Sequence, residues 1–278
     1  VNPIGMMQGR LSPPGDRPQS FPWSTWPAEF ARAGRCGFDC IEWLFEARRY
    51  GENPIWTEAG VSRMRQVSRD AGVRILSLCA DYFIGHPLHR GSSSMRAASL
   101  AVLETLLERS AEAGIGTIVL PVLEASAMRS DAEQSALLSA LRGPLESAHR
   151  LGVRIALETE MPADDIRILL DRAGDSQLGV CYDIGNATAK GYDSASDILR
   201  LSPSLFGVHV KDRLRGGHSV SLGSGDVDFT ATFQALATVR YEGPLILEAK
   251  SGVDYLRRAR QYLAFVRSLL GESSRPTS

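Results

Sequence analysis

The sequence predicts an α/β fold of the (β/α)8 barrel type, on two observations. Short apolar or β-branched runs alternate with longer amphipathic stretches from one end of the chain to the other, eight times, the pattern of repeated βα units around a parallel sheet. The 278 residues, 44% hydrophobic and 23% charged, suffice for one sizeable core, and α/β barrels commonly reach this length as one domain. No low-complexity linker breaks the series. Residues 1-270 are therefore expected to form a single domain, with 271-278 as a polar, disordered C-terminal tail.

The first strand is expected near Pro3 to Met7, where Gln8-Gly-Arg10 turns out into a loop rich in proline and tryptophan. A helix follows over Pro27 to Ala33, closed by Gly34 and Gly37 before the strand Asp39 to Trp43. Glu58 to Ala71 reads as a helix ended by Gly72, Val73 to Ala80 as the third strand, and Asp81 to Arg90 as its loop. Met95 to Ala113 is helical, Gly116 to Pro121 is strand four, and Asp131 to Leu151 is the longest amphipathic helix. Strand five carries Glu158, a helix spans Ala163 to Ala173, strand six carries Asp183, and a helix at Ser194 to Leu201 leads to strand seven. Lys211 to Asp226, rich in glycine, serine and charge, is long for a βα connection and is expected to lie over the site. The last helices span Asp228 to Val239 and Asp254 to Leu269, with strand Pro244 to Glu248 between them.

Thirty-one basic against thirty-two acidic residues give a net charge of −1, which supplies no overall field for a polyanion such as nucleic acid. The four cysteines, Cys36, Cys40, Cys79 and Cys181, are too few for a disulfide framework and lack the second pair of a four-thiolate zinc site. Cys36 and Cys40 read as a helix end followed by a buried strand residue. Neither a signal peptide nor an apolar run of transmembrane length stands out, so a soluble, cytoplasmic protein that binds no membrane is expected.

Four apolar runs carry a ligand-type side chain where they meet a loop: Ile155-Ala-Leu-Glu158, Leu178-Gly-Val-Cys-Tyr-Asp183, Phe206-Gly-Val-His209 and Leu245-Ile-Leu-Glu248. In a parallel barrel all such strand ends point to one face, so Glu158, Asp183, His209 and Glu248 can surround one divalent cation. A donor set of three carboxylates and one imidazole suits Mn, Mg, Co or Zn in a catalytic rather than a structural site. The competing reading of each acid by itself is a helix cap or half of a salt bridge.

Several motifs resemble a known family over nearly the whole chain. They are Met7-Gln-Gly-Arg-Leu-Ser12, Gly37-Phe-Asp-Cys-Ile-Glu42, Ser77-Leu-Cys-Ala-Asp81, Ala156-Leu-Glu158, Tyr182-Asp-Ile-Gly-Asn186, Val208-His-Val-Lys-Asp212, Leu222-Gly-Ser-Gly-Asp-Val-Asp-Phe229 and Tyr241-Glu-Gly-Pro-Leu-Ile-Leu-Glu248. The chain resembles the sugar-phosphate isomerase/epimerase group of xylose-isomerase-like TIM barrels. The last four motifs look especially like the ketopentulose-5-phosphate 3-epimerases and the free-ketose 3-epimerases. The resemblance implies that Glu158, Asp183, His209 and Glu248 bind the metal and that Glu158 and Glu248 also move the proton. Asn186 stands where many ketose epimerases place a sugar-contacting histidine, whereas the phosphopentulose branch has the same Asp-x-Gly-Asn pattern. Arg215 stands where the free-ketose enzymes use a substrate-binding arginine, so the signatures of the two branches are mixed.

Other residues compete for roles. Glu160 would face the same way as Glu158 on a continuing strand, but the family match puts it in the loop. Glu42 can reach the barrel mouth or serve in a structural salt bridge. Gln8 and Arg10, at the end of the first strand, are candidate substrate contacts. Trp43 and Phe83 can wall a sugar pocket or simply pack. His86 and His89 are second-metal candidates or solvated loop histidines; His149 and His218 receive no role. Lys211, Arg213 and Arg215 lie where such barrels often hold a phosphate, and a solvated charge run is the alternative.

The expected function is epimerisation or isomerisation of a small ketose or ketose phosphate. A divalent metal would bind two adjacent oxygens and stabilise the enediolate left by proton transfer. A lyase of the same barrel group, a dehydroshikimate-type dehydratase, needs the same metal and acidified C–H. The apurinic endonuclease branch needs more strand-end histidines than the five present and a basic face. The expected partner is a small-molecule sugar or sugar phosphate, and assembly into a homo-oligomer stays open.

Overall fold

The computed structural model describes residues 2–15, 19–249 and 252–271. The expected C-terminal tail lies outside the described residues from 272 onward.

In chain order the elements are β1 (Ile4–Met7), α1 (Trp26–Cys36), β2 (Cys40–Leu44), α2 (Glu58–Ala71), β3 (Arg74–Cys79), α3 (Tyr82–Gly85), α4 (Ser93–Ala113), β4 (Thr117–Val122) and α5 (Asp131–Leu151). They continue with β5 (Arg154–Thr159), α6 (Ala163–Ala173), β6 (Leu178–Asp183), α7 (Ile184–Lys190), α8 (Ser194–Leu201), β7 (Leu205–Val210), β8 (Asp212–Arg213), β9 (Ser219–Val220), α9 (Phe229–Thr238), β10 (Leu245–Leu247) and α10 (Tyr255–Leu269). Eight strands close a barrel in the order β1-β10-β7-β6-β5-β4-β3-β2, and each pair in it is parallel. This is the fold the repeated βα units predict. Strands β2, β4 and β6 are buried at every residue, as expected of a parallel sheet wrapped by helices.

The structure departs from the sequence reading at three places that bear on the site. Helix α1 runs past Ala33 to Cys36, and Gly34 lies within it: a Cβ there would come within 2.9 Å of the Ala71 carbonyl oxygen, so the glycine permits close packing on α2. The stop is Gly37, at φ 92°. Directly after Asp183 the chain turns into the unforeseen helix α7, whose first turn Asp183 caps by accepting the Asn186 N–H at 2.8 Å. The long connection after His209 is a small antiparallel hairpin, β8 and β9, rather than an open loop. Asp212 pins it: the fully buried carboxylate accepts N–H groups of Ser224 at 3.0 Å and Gly225 at 2.8 Å. Among the described residues no helix is long and apolar enough to cross a membrane.

Candidate active site and metal centre

Four strands deliver the site. Glu158 lies in β5, Asp183 ends β6, His209 lies one residue before the end of β7, and Glu248 follows β10 directly. Pairing puts Asp183 opposite His209 and His209 opposite Ile246, so the parallel register brings the strand ends level. All four side chains are buried, and one ligand atom from each lies within 4.8 Å of the others.

Each ligand-type atom has a definite environment. His209 Nε2 bonds Glu42 Oε1 at 2.7 Å, and Ser77 Oγ donates to Glu42 Oε2 at 2.5 Å. That leaves His209 Nδ1 facing Glu248 Oε2 at 3.3 Å and Glu158 Oε1 at 3.7 Å, without hydrogen-bond alignment. Asp183 Oδ2 lies 2.9 Å from Lys211 Nζ, an ion-pair contact that also lacks hydrogen-bond alignment. Lys211 Nζ is 2.8 Å from Glu248 Oε1, and Arg10 Nη2 is 3.7 Å from the same oxygen.

These observations test whether the donors fit a cation. Buried polar atoms normally find hydrogen-bond partners, yet Asp183 Oδ2 and His209 Nδ1 find none among the described residues, and both belong to the cluster. A carboxylate behind an imidazole fixes which ring nitrogen is left for a metal. Three carboxylates and an imidazole Nδ1, backed in this way by Glu42, fit a divalent cation of the Mn, Mg, Co or Zn class.

The two glutamates are electrostatically unlike. Burial raises the Glu158 carboxyl above its ordinary range, an effect that His209 offsets only partly and that the Glu248 and Asp183 carboxylates reinforce. Burial acts the same way on Glu248, but Lys211, His209 and Arg10 outweigh it and hold the carboxyl below its ordinary range. For His209, burial favours the neutral ring, while Cys181, Glu42 and Glu158 hold its pKa well above the ordinary value.

A cavity of about 670 Å³ opens over the cluster. Of the residues expected at the substrate, Glu158, Glu248, Arg10, Asn186 and Lys211 line it. Three others do not. Trp43 is fully buried between Phe21 and Trp26, with its Nε1 donating to Asn53 Oδ1 at 3.0 Å, so it packs rather than walls the pocket. Gln8 is buried and accepts the Leu44 N–H at 3.0 Å, a tie between β1 and β2. Arg215 lines a separate cleft with Asp226 and Asp228, because the hairpin carries it past the barrel mouth. Arg213 and His218 reach the cavity instead.

The competing candidates also find places. Glu160 reaches the cavity wall and pairs with Lys190 at 2.9 Å, outside the four-residue cluster. His86 stacks on Tyr82 at 4.2 Å, His89 is buried, and His149 meets Asp175 at 2.8 Å; none belongs to the cluster. Phe83 is buried in the core, and the four cysteines are free and buried. For Glu42 the sequence favoured a structural salt bridge over a place at the barrel mouth, and the pairing with His209 is such a bridge, whereas Ser77 had no role. The signal for Glu42 was a carboxylate in the middle of an otherwise apolar strand, where burial demands a partner.

Comparison with known proteins agrees with the barrel fold. A relative from Salmonella paratyphi A, L-ribulose-5-phosphate 3-epimerase UlaE, is 25% identical over 231 residues, covering 80% of this chain and 81% of the relative. A solved L-ribulose 3-epimerase superposes with a TM-score of 0.80 at 16% identity, covering 98% of this chain and 95% of that one. The D-allulose 3-epimerase from Methylomonas sp., solved with D-allulose, gives 0.75 at 16% identity and covers 96% of each chain. The model of the family described as xylose isomerase-like TIM barrel matches residues 30–269. With that match spanning most of the barrel, the chain belongs to the xylose isomerase-like TIM barrel family.

Proposed function

We propose that the protein is an isomerase that epimerises a small ketose or ketose phosphate, one of Glu158 and Glu248 removing a proton from the substrate carbon and the other returning a proton to its opposite face. The observation that carries this reading is the pair of buried carboxyls, Glu158 and Glu248, that line one cavity beside a single ligand cluster. An epimerase needs one group on each face of the inverted carbon, and β5 and β10 stand three places apart around the barrel.

Glu158, Asp183, His209 and Glu248 would hold the cation. When bound, it supplies Lewis-acid polarisation of the carbonyl, which acidifies the neighbouring C–H. One glutamate takes the proton from that carbon, and the C–H electron pair moves toward the carbonyl to give an enediolate. The other returns a proton to the opposite face, inverting the centre. Arg10, Asn186 and Lys211 line the same cavity and would bind the sugar oxygens. The four buried free thiols suit a reducing, cytoplasmic setting.

The relatives' names set the first substrates: L-ribulose 5-phosphate, L-ribulose and D-allulose. Incubation of the Mn²⁺-loaded protein with each in D₂O, followed by NMR of the product, tests the reading. The expected product is the 3-epimer with solvent deuterium on the inverted carbon. An unsaturated product with loss of water would assign a lyase instead, and inversion without deuterium would overturn the two-glutamate mechanism.

A further inference from the structure

Asn186 contacts Glu158 through a side-chain amide whose orientation is decided elsewhere. Arg213 Nη1 donates to Asn186 Oδ1 at 2.8 Å. A guanidinium can only donate, so the amide presents its oxygen to Arg213 and is left with its NH₂ toward the barrel. That NH₂ faces Glu158 Oε1 at 3.5 Å, a long contact of the kind that tightens once a catalytic group is engaged. Arg213 is itself clamped, because its Nε and Nη2 both donate to the Gly217 carbonyl, at 3.2 and 2.8 Å.

The clamp is anchored to the barrel. Gly216 N donates to Ala189 O in α7 at 2.8 Å, and Asp226 N donates to Arg213 O at 3.0 Å. Asn186 is held from below as well, since its N–H is the one that caps on Asp183. A continuous path therefore runs from the β8–β9 hairpin through Arg213 and Asn186 to Glu158.

We infer that Arg213 is a positioning residue: by fixing the Asn186 amide with its NH₂ toward Glu158 Oε1, it selects which carboxylate oxygen remains for the substrate proton. Without Arg213 the amide is free to rotate by half a turn. Only the long contact to Glu158 Oε1 is then left to set the angle of the amide. This inference rests on the epimerase reading above and adds a residue outside the ligand cluster.

Two measurements test it on the full-length protein. In side-chain amide NMR of isotope-labelled protein, the Asn186 NH₂ pair, identified by its loss in Asn186→Asp, is expected to shift in Arg213→Met and to return toward its original position in Arg213→Lys. An Asn186 pair unmoved in Arg213→Met overturns the relay, whether or not any sugar is converted. The second measurement uses whichever of the three sugars is converted fastest. Arg213→Met is expected to lower kcat by about 10- to 100-fold with KM nearly unchanged, on the scale of a misplaced catalytic group. Asn186→Leu should lower kcat to a similar extent, and the double variant should cost no more in kcat than either single one, since both break one path. Additive losses, or a change confined to KM, would assign Arg213 to substrate contact and overturn the inference. Conversion of none of the sugars would count against the epimerase reading, while the amide spectra would still decide the relay.

Discussion

Glu42 Oε1 and His209 Nε2 lie 2.7 Å apart, joining residues 167 positions apart in the chain. Because Ser77 occupies the other Glu42 oxygen, the carboxylate cannot swing away, and the His209 ring is aimed with Nδ1 at the cluster. Glu42→Gln should weaken Mn²⁺ binding by about 10- to 100-fold, the usual effect of losing a carboxylate behind a metal-binding histidine. Isothermal titration of Mn²⁺ into both proteins measures it. Equal affinities would reduce Glu42 to a structural partner.

Glu158→Gln and Glu248→Gln keep the side-chain volume but remove the proton-transfer function. Each should lower kcat by about 10²- to 10⁴-fold. If one variant retains full activity on a sugar that the parent epimerises, the second acid/base group must be sought elsewhere in the cavity.

Mn²⁺ binding should release protons. Burial keeps the Glu158 carboxyl above its ordinary range, and against the pull of burial the Glu42 carboxylate helps hold the His209 pKa well above its ordinary value. A metal ligand must give up such protons. The metal-free state thus binds more protons than the loaded state, so apparent affinity rises with pH. Titrations in two buffers of different ionisation enthalpy count the protons, and identical heats in the two would contradict the expectation.

Lys211 Nζ sits between Asp183 and Glu248 as a buried counter-charge. Breaking a buried ion pair by removing one partner costs about 3–5 kcal/mol. Lys211→Met should therefore lower the Tm of the metal-free protein. Mn²⁺, which supplies replacement charge, should raise the Tm of the variant by more than that of the parent. Equal shifts in thermal melts would show that Lys211 does not neutralise the cluster.

The hairpin should behave as a fixed wall of the cavity. Its buried Asp212 carboxylate serves Ser224, Gly225 and Val227 N–H groups, at 3.0, 2.8 and 3.4 Å. Asp212→Ala strands these donors, at about 1–3 kcal/mol for a buried unsatisfied group. Amide hydrogen exchange should speed up over residues 213–227 and stay unchanged in α9. Fast exchange there already in the parent would show that the hairpin is not a fixed wall.

The sequence alone determined the barrel and the cluster, because both depend on local pattern. Apolar runs such as Thr117–Val122 announce buried parallel strands, and closure of eight of them forces their ends to one face. Glu158, Asp183, His209 and Glu248 each stand at or beside a strand end, so the grouping followed from topology without knowledge of any distance.

Tertiary structure alone decided how those residues are supported and what else lines the cavity. The bond between Glu42 and His209 joins β2 to β7 across the barrel interior, a relation that periodicity within either strand does not encode. Trp43 shares that strand and carries a side chain suited to a sugar, but Phe21 and Trp26 from the preceding βα connection cover it. Arg213 and Arg215 look equivalent in the chain. The hairpin sends Arg213 to the cavity and Arg215 to another cleft, because backbone pairing across β8 and β9, together with the Asp212 carboxylate, sets a course that charge and glycine content leave undetermined.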